Sequence, residues 1–548
     1  MSIERARPTN PVAVLVVISL GLFMTLLDLT IVNIAIPNIV DGIHASLDQV
    51  LWVLNAYSLL YAVLLITSGR LGDIFGPRNL FVAGIVVFTL ASIASGLAQD
   101  PTQLILARAV QGFGAALLAP QGLPILLSLF PPERRATTFA VFGILAGVAV
   151  VAGPTVGGFI VTHFGWRWIF YVNVPLGIAT LVAALLIVPD LRPGRKHRLD
   201  VLGVLLATAG LFGVVFGLIE GQRYDWGTVR GFVTIPEIIG AGVALLVIFL
   251  VIQARRQDRE PLLNFAIFKD RNFTLMTVVL MAMGFAIVGL YLPLTIFYQS
   301  VLGLSAQDAG LTIAVQPLAM MVVSAFAGGV ANRYGGKFVL IPGLVLFAAG
   351  SAYIDWAVHV DASRWSFVPG LILSGIGLGG VWGPVYAIAT RDIKPQLAGV
   401  ASGVLNTIQE LGAVVASASV GALLQNRLAV ALHEQAVQRS AALPEPFRNS
   451  FVDAFSGAAK NGLEIGAGQS GGSLRLPPGV PPQVVAQLQQ IAHDVFVNAF
   501  VIAMRPTLIL PIAVVLLAAI SCLWVRNRGM QAGVEPAGVE AAEATVAY

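Results

Sequence analysis

Fourteen apolar stretches leave this chain very few ways to fold. They fall at 12–37, 50–69, 79–98, 102–129, 137–161, 167–189, 201–221, 232–253, 273–298, 309–331, 337–358, 366–389, 397–425 and 501–525. A helix needs about 20 apolar residues to cross the hydrocarbon of a bilayer, and nearly every one of these runs meets that length. Backbone groups in hydrocarbon must bond within their own segment, so runs of this length read as helices. Only 11% of the residues are charged, while 57% are hydrophobic. Soluble domains carry roughly 25% charge. A chain this poor in charge cannot cover a water-facing surface, which excludes an array of soluble domains. The expected class is an all-α membrane protein.

The basic residues then set a direction. Arg5 and Arg7, Arg70 and Arg78, Arg134 and Arg135, and Arg192, Arg195, Lys196 and Arg198 lie in the N-terminus and in alternate loops. Arg255, Arg256, Arg259, Lys269 and Arg271, then Arg333 and Lys337, Arg391 and Lys394, and Arg526 and Arg528 continue the series. The short loops on the other side hold only Arg167, Arg223, Arg230 and Arg364. Lys and Arg accumulate on the cytoplasmic side of membrane proteins. Both termini are therefore expected in the cytoplasm, as an even span count requires. The net charge of +4 reflects these loops, and no nucleic-acid partner is expected. The single cysteine, Cys522, excludes a disulfide and any cysteine-based metal cluster. The first apolar run exceeds a signal-peptide core and reads as a retained span.

Charged linkers at 190–200 and 254–272 bracket the seventh and eighth stretches, so the chain parses as 6+2+6. The division is a six-helix bundle over 1–190, an inserted helix pair with its linkers over 191–272, a second six-helix bundle over 273–525, and a tail over 526–548. The second bundle contains a polar loop, 426–495, on the side opposite the termini. Its helix-compatible pieces, 427–441 and 482–495, predict a small helical hairpin standing outside the membrane.

The two six-span blocks repeat. Gly69-Arg70-Leu71-Gly72-Asp73-Ile74-Phe75-Gly76-Pro77-Arg78 follows the second stretch, and Gly328-Gly329-Val330-Ala331-Asn332-Arg333-Tyr334-Gly335-Gly336-Lys337 follows the tenth. Glycines and the closing base recur, while Asp73 becomes Asn332 and Arg70 becomes Gly329. Internal repeats with a binding site at their interface are the architecture of secondary transporters.

Segment 69–78 resembles the signature loop of the major facilitator superfamily. Leu27-Asp28-Leu29-Thr30-Ile31-Val32-Asn33-Ile34-Ala35-Ile36-Pro37 is similar to the first-span motif of its fourteen-span drug/proton antiporter family. Arg108-Ala109-Val110-Gln111-Gly112-Phe113-Gly114 is similar to the superfamily's proton-relay motif. Gly143, Gly147 and Gly153-Pro154-Thr155-Val156-Gly157-Gly158 resemble the antiporter motif of the fifth span. The resemblance implies a multidrug efflux transporter of the cell membrane that exchanges protons for lipophilic, cationic small molecules by rocking its two bundles. It also implies a part in proton coupling for Asp28 and Arg108, and an effect of the fifth-span glycines on transport direction.

Ionisable side chains inside a bilayer cost a few kcal/mol or more unless paired or hydrated. Asp28 sits about 13 Å and Arg108 about 10 Å from the same end of their spans, at 1.5 Å per residue. Their depths match, so they can neutralise one another, either as a coupling site or as a fixed structural pair. Glu410 lies midway along the thirteenth stretch with no neutralising sequence neighbour. A carboxylate in a cavity can hold a proton or a cationic substrate, and that competition is antiport. A neutral Glu410 acting as a hydrogen-bond donor is the alternative. Asn33, Asn55, Tyr57, Gln111, Tyr291, Tyr298, Gln316 and Asn406 join Asp28 and Glu410 as candidate substrate contacts, with hydrogen bonding between helices as the other reading. Trp382 and Tyr386 are candidate aromatic walls. Gly69, Arg70, Gly72, Asp73, Gly76 and Arg78 form a candidate conformational latch, with Asp73 taking bonds from Arg70, Arg78, Arg134 or Arg135. Gly147, Gly153, Gly157 and Gly158 are expected to let backbones pack closely, with Pro154 available for a kink.

Gly375-Ile376-Gly377-Leu378-Gly379-Gly380 has the spacing of a dinucleotide loop but lies inside an apolar run with no preceding strand, so helix packing is the reading. Gly336-Lys337 is followed by Phe338, and no phosphate-binding loop is present. His433-Glu434 lacks a second histidine. No cofactor, metal site or enzyme activity is expected. The expected partners are a small-molecule substrate, protons and surrounding lipid, with the protein working as a monomer. Two other readings remain: export of an endogenous metabolite, siderophore or lipid, and a transport-inactive sensor or scaffold that binds a partner through 426–495.

Overall fold

The computed structural model describes residues 10–43, 45, 47–190, 200–221, 223–257, 261–394, 397–441, 443, 445–460 and 482–526. Nearly all of them are helical. Among the described residues, fourteen helical segments are long and apolar enough to cross a membrane. Spans one to six are Pro11–Val32, Trp52–Phe75, Pro77–Leu97, Pro101–Leu129, Gly147–Phe164 and Trp168–Ile187. Spans seven and eight are Val201–Glu220 and Ile235–Arg255. Spans nine to fourteen are Arg271–Val301, Gln307–Tyr334, Lys337–Ala357, Arg364–Ala389, Ala398–Ser440 and Gln487–Trp524.

Helix starts follow local chemistry. Asp100 accepts from the Gln103 backbone N–H at 2.9 Å, with Pro101 in the first turn. Asp200 accepts from Gly203 at 3.0 Å, Asp270 from Phe273 at 2.8 Å and Ser305 from Asp308 at 3.0 Å. Each satisfies an N–H that the helix leaves without an internal partner. Thr234 and Glu237 cap span eight reciprocally, and Glu220 pairs with Arg223 at 3.1 Å. Two acids near the span ends are thus accounted for by local structure. A short antiparallel hairpin, Thr228–Arg230 with Val233–Thr234, joins spans seven and eight.

Spans one to six pack on each other, as do spans nine to fourteen. The two bundles meet where span two packs on span thirteen and span five on span ten. Spans seven and eight pair, and span seven leans on both span two and span thirteen. Gln253 and Gln257 tie the following linker to span eight. Gln253 accepts from Leu263 N at 3.1 Å, and Gln257 accepts from Phe265 N at 2.9 Å.

Loop 426–495 differs from expectation. Its two helix-compatible pieces are continuations of membrane spans, not a separate hairpin. One helix runs unbroken over Ala398–Ser440 and another over Pro482–Ser521, and a further helix, Glu445–Lys460, packs on the first. Leu428, Leu432, Ala436, Phe451, Leu488 and Ala492 are buried along these extensions, and Arg439 pairs with Asp494 at 3.1 Å. Falling hydropathy marks where apolar side chains stop, and the helix continues because its neighbour gives it a second core to bury. The Gly/Ser/Pro stretch between them, 466–482, falls largely outside the described residues.

Candidate functional site

Asp28 and Arg108 form an ion pair between spans one and four, with side chains 0% and 1% exposed. Two buried charges hold only when their remaining hydrogen-bonding capacity is met. The Arg108 guanidinium donates to Asp28 and Gln111, the latter at 2.7 Å, and its Nε donates to the Val53 carbonyl at 3.2 Å. Asp28 also accepts from the Gln111 amide at 2.8 Å and the Asn173 amide at 3.1 Å. Ser92 accepts from both amides and donates to the Phe170 carbonyl at 2.9 Å. The guanidinium carbon lies 4.4 Å from the centre of the Tyr57 ring. Spans one, two, three, four and six thus converge on one charge pair.

Gly112 sets the approach of span two. A methyl at this position would come within 2.9 Å of Tyr57 Cα and closer still to its carbonyl oxygen. Gly112→Ala is expected to destabilise the fold by about 1–3 kcal/mol, as overpacking against backbone does. A lower melting temperature in detergent, with Arg108 contacts disturbed, checks it.

A cavity lies between the bundles, lined by spans one, two, three, four, twelve and thirteen, with Phe139 from the helix Pro132–Phe164 that leads into span five. Its polar wall consists of Glu410, Gln409, Asn406 and Ser402 from span thirteen, with Thr25 from span one. Tyr61, Trp382, Tyr386 and Phe139 supply the aromatic wall. The rings of Trp382 and Tyr386 stack at 6.4 Å and 18°, and Phe139 meets Tyr386 at 5.6 Å. Tyr61 and Tyr386 line the same cavity as the Glu410 carboxyl. Among the described residues, no cation pairs with Glu410.

Of the candidate substrate contacts, only Asn406 and Glu410 line this cavity. Asp28, Tyr57 and Gln111 are committed to the buried charge pair. Tyr291 donates to Gln316, whose amide donates to Ser374 at 2.6 Å, which makes a neutral polar cluster within the second bundle. Tyr298 is buried against Phe367, ring centres 5.2 Å apart. Asn55 does not line the cavity, and the side chain of Asn33 lies outside the described residues. Tyr61 and Gln409 were not singled out from sequence. A usable signal was Tyr61's place one turn after Tyr57.

Residues 69–78 are the last turns of span two, the turn at Gly76 and the start of span three, not a loop. They lie at the end of the bundles that carries the basic clusters, against span thirteen. Gly69 meets Gly399 backbone to backbone, with a methyl at Gly69 coming 3.3 Å from Gly403 Cα. Asp73 accepts from the backbone N–H groups of Gly399 and Val400 at the start of span thirteen, with Arg70 beside it. Those N–H groups open a helix and have no partner inside it, while the other carboxyl oxygen of Asp73, Oδ2, is buried without a hydrogen-bond partner among the described residues. Of the expected alternatives Arg70 lies beside Asp73, and Arg78 and Arg135 make contacts of their own. Arg78 donates to the Leu185 carbonyl, and Arg135 reaches across the bundles to the Thr390 carbonyl at 2.7 Å. Arg134 is exposed. Gly72 abuts the Gln121 side chain, and Gly76 takes φ +89°, where glycine alone is unstrained. In the repeat, the Asn332 amide donates to Thr137 Oγ1 at 2.9 Å, a neutral counterpart at the second seam.

In span five, Gly147 packs on the Pro317 carbonyl and Met321 of span ten, Gly153 on Thr30 and Gly157 on Ile31. Gly158 faces open space, with nothing within 4 Å of an added methyl, so it plays no part in close packing. The helix runs unbroken through Pro154, whose side chain lies outside the described residues. Gly375, Gly377 and Gly379 serve helix packing, as their sequence context required.

The Major Facilitator Superfamily family model matches residues 18–417. A probable actinorhodin transporter of Streptomyces coelicolor is 35% identical over 409 residues, 73% of this chain and 70% of that protein. The tetracenomycin C resistance and export protein of Streptomyces glaucescens is 30% identical over 523 residues, 94% of this chain and 92% of that protein. Among solved structures, the human organic anion transporter MFSD10 shares the fold with a TM-score of 0.57 at 12% identity, covering 93% of this chain and 100% of that one.

Proposed function

The chain belongs to the major facilitator superfamily, and on that footing we propose that it is a proton-coupled antiporter expelling lipophilic, positively charged small molecules. It is a multi-pass cell-membrane transporter, not an enzyme, with relatives named for antibiotic resistance and export. The basic loops support placing both termini, and residues 69–78, in the cytoplasm. The carrier is read as a monomer whose bundles, 1–190 and 273–525, rock about the cavity.

One observation carries the reading. Glu410 stands in a cavity between the bundles, walled by Tyr61, Trp382 and Tyr386 and without a cationic partner among the described residues. An aromatic wall attracts a cation through ring quadrupoles, more strongly once water is excluded. The carboxylate adds the charge that selects a cation. In the proposed cycle the substrate enters from the cytoplasm or the inner leaflet and occupies Glu410. Protons arriving from outside neutralise Glu410 and Asp28, the substrate leaves, and the protonated carrier returns. The Asp28–Arg108 pair supports a coupling role because a buried, saturated ion pair changes its hydrogen bonding once the acid is protonated.

The names of the relatives extend the substrate class to antibiotic-like compounds, and export of such a compound made inside the cell is the second reading. Transport of a fluorescent lipophilic cation into everted vesicles tests the first. Uptake is expected on imposing a proton gradient and is expected to stop when the gradient is collapsed. Wild-type proton-driven transport by both Asp28→Asn and Glu410→Gln would sink the assignment.

A further inference from the structure

One ridge of span two touches every working part of the molecule. Val53, Tyr57, Tyr61, Leu65, Gly69 and Asp73 are each four residues apart. The Val53 carbonyl accepts from Arg108, and the Tyr57 ring lies against the same guanidinium. Tyr61 stacks on Tyr57, ring centres 6.1 Å apart and planes 18° from parallel, and forms the cavity wall with Glu410. The Leu65 carbonyl would lie 3.0 Å from a methyl at Gly403 of span thirteen. Gly69 and Asp73 make the contact with Gly399 and Val400.

Helix geometry explains how one element does this. Steps of four residues advance about 40° beyond a full turn, so five steps wind the ridge by about 200°. The ridge therefore faces span four, inside the first bundle, at one end and span thirteen of the second bundle at the other. A stripe that kept one face would reach only one of them.

We propose that this ridge is the coupling line of the carrier, with Tyr57 and Tyr61 as positioning residues that pass the state of the Asp28–Arg108 pair and of the cavity to the Gly69–Gly399 closure. The inference rests on Asp28 taking part in proton coupling. Spatial continuity becomes coupling only when one site is shown to bias a two-state element at the other.

Cys522 is the chain's single cysteine and is buried. In a Cys522→Ser background, spin labels at Arg134→Cys and Arg333→Cys, both exposed across the seam of the bundles, report closure by pulsed distance measurement. Asp28→Asn is expected to change the ratio of closed to open distances on the order of fivefold or more. Adding Tyr57→Leu or Tyr61→Leu is expected to cancel that change, whereas Tyr57→Phe, which keeps the ring on Arg108, retains it. Should Tyr57→Leu not fold, Tyr61→Leu at the cavity wall carries the same expectation. A full Asp28→Asn response in the leucine variants overturns the ridge as coupling line and leaves the antiport reading intact. An Asp28→Asn protein with no response and wild-type proton-driven export removes the coupling role of Asp28, and this inference with it.

Discussion

Glu410→Gln is expected to lower affinity for a lipophilic cation by about 10- to 100-fold, the range set by losing one charged partner worth about 1.5–3 kcal/mol. The substitution keeps the shape and hydrogen-bonding reach of the side chain but can neither carry charge nor take a proton. The aromatic wall of Tyr61, Trp382 and Tyr386 survives it, so a neutral ligand of similar size should bind nearly as before. Proton-driven efflux should fall to background, because nothing at span thirteen then exchanges proton for cargo. Binding of a cation and of its uncharged analogue to the purified protein, measured side by side, separates the two effects. Equal affinity of wild type and variant for the cation would remove Glu410 from the substrate site.

Breaking the Asp28–Arg108 pair from one side gives the second large effect. Asp28→Ala leaves a guanidinium that is 1% exposed without its counter-charge, and removing one partner of a buried pair costs about 3–5 kcal/mol. Melting of the detergent-solubilised protein should shift down markedly. Replacing both partners, as in Asp28→Leu with Arg108→Met, should recover most of that loss, since apolar packing of similar volume often equals a buried pair. Transport decides the role. A fixed structural pair predicts that export returns along with stability, whereas a coupling pair predicts a stable protein that does not pump.

Physical constraints explain which parts of this could be read from sequence. The spans and the pairing of Asp28 with Arg108 were legible because hydrocarbon forbids unpaired charge, so matched depths imply a partner. Gln111 and Asn173 were visible as polar groups on such spans, but their shared attachment to Asp28 and Ser92 depends on how five helices converge. Gly399 was hidden because its role lies in backbone groups some 330 positions from Gly69 in the chain, and an N–H carries no residue-type signature. Tyr61 looked like any aromatic of an apolar helix until the winding of span two placed it at the cavity. The extensions beyond spans thirteen and fourteen were cut short because hydropathy reports the surroundings of a helix, not its length.

Those extensions have a practical consequence. At 1.5 Å per residue, the 43-residue helix of span thirteen is about 64 Å long, while the hydrocarbon it crosses is about 30 Å thick. By that length roughly half of it would extend past the hydrocarbon, beside the 40-residue helix Pro482–Ser521 and well away from the Glu410 cavity. With both termini in the cytoplasm, as proposed from the basic loops, this projection would be an epitope on intact cells. An antibody fragment raised against it would count carriers at the surface without competing for cargo, so export could be expressed per molecule.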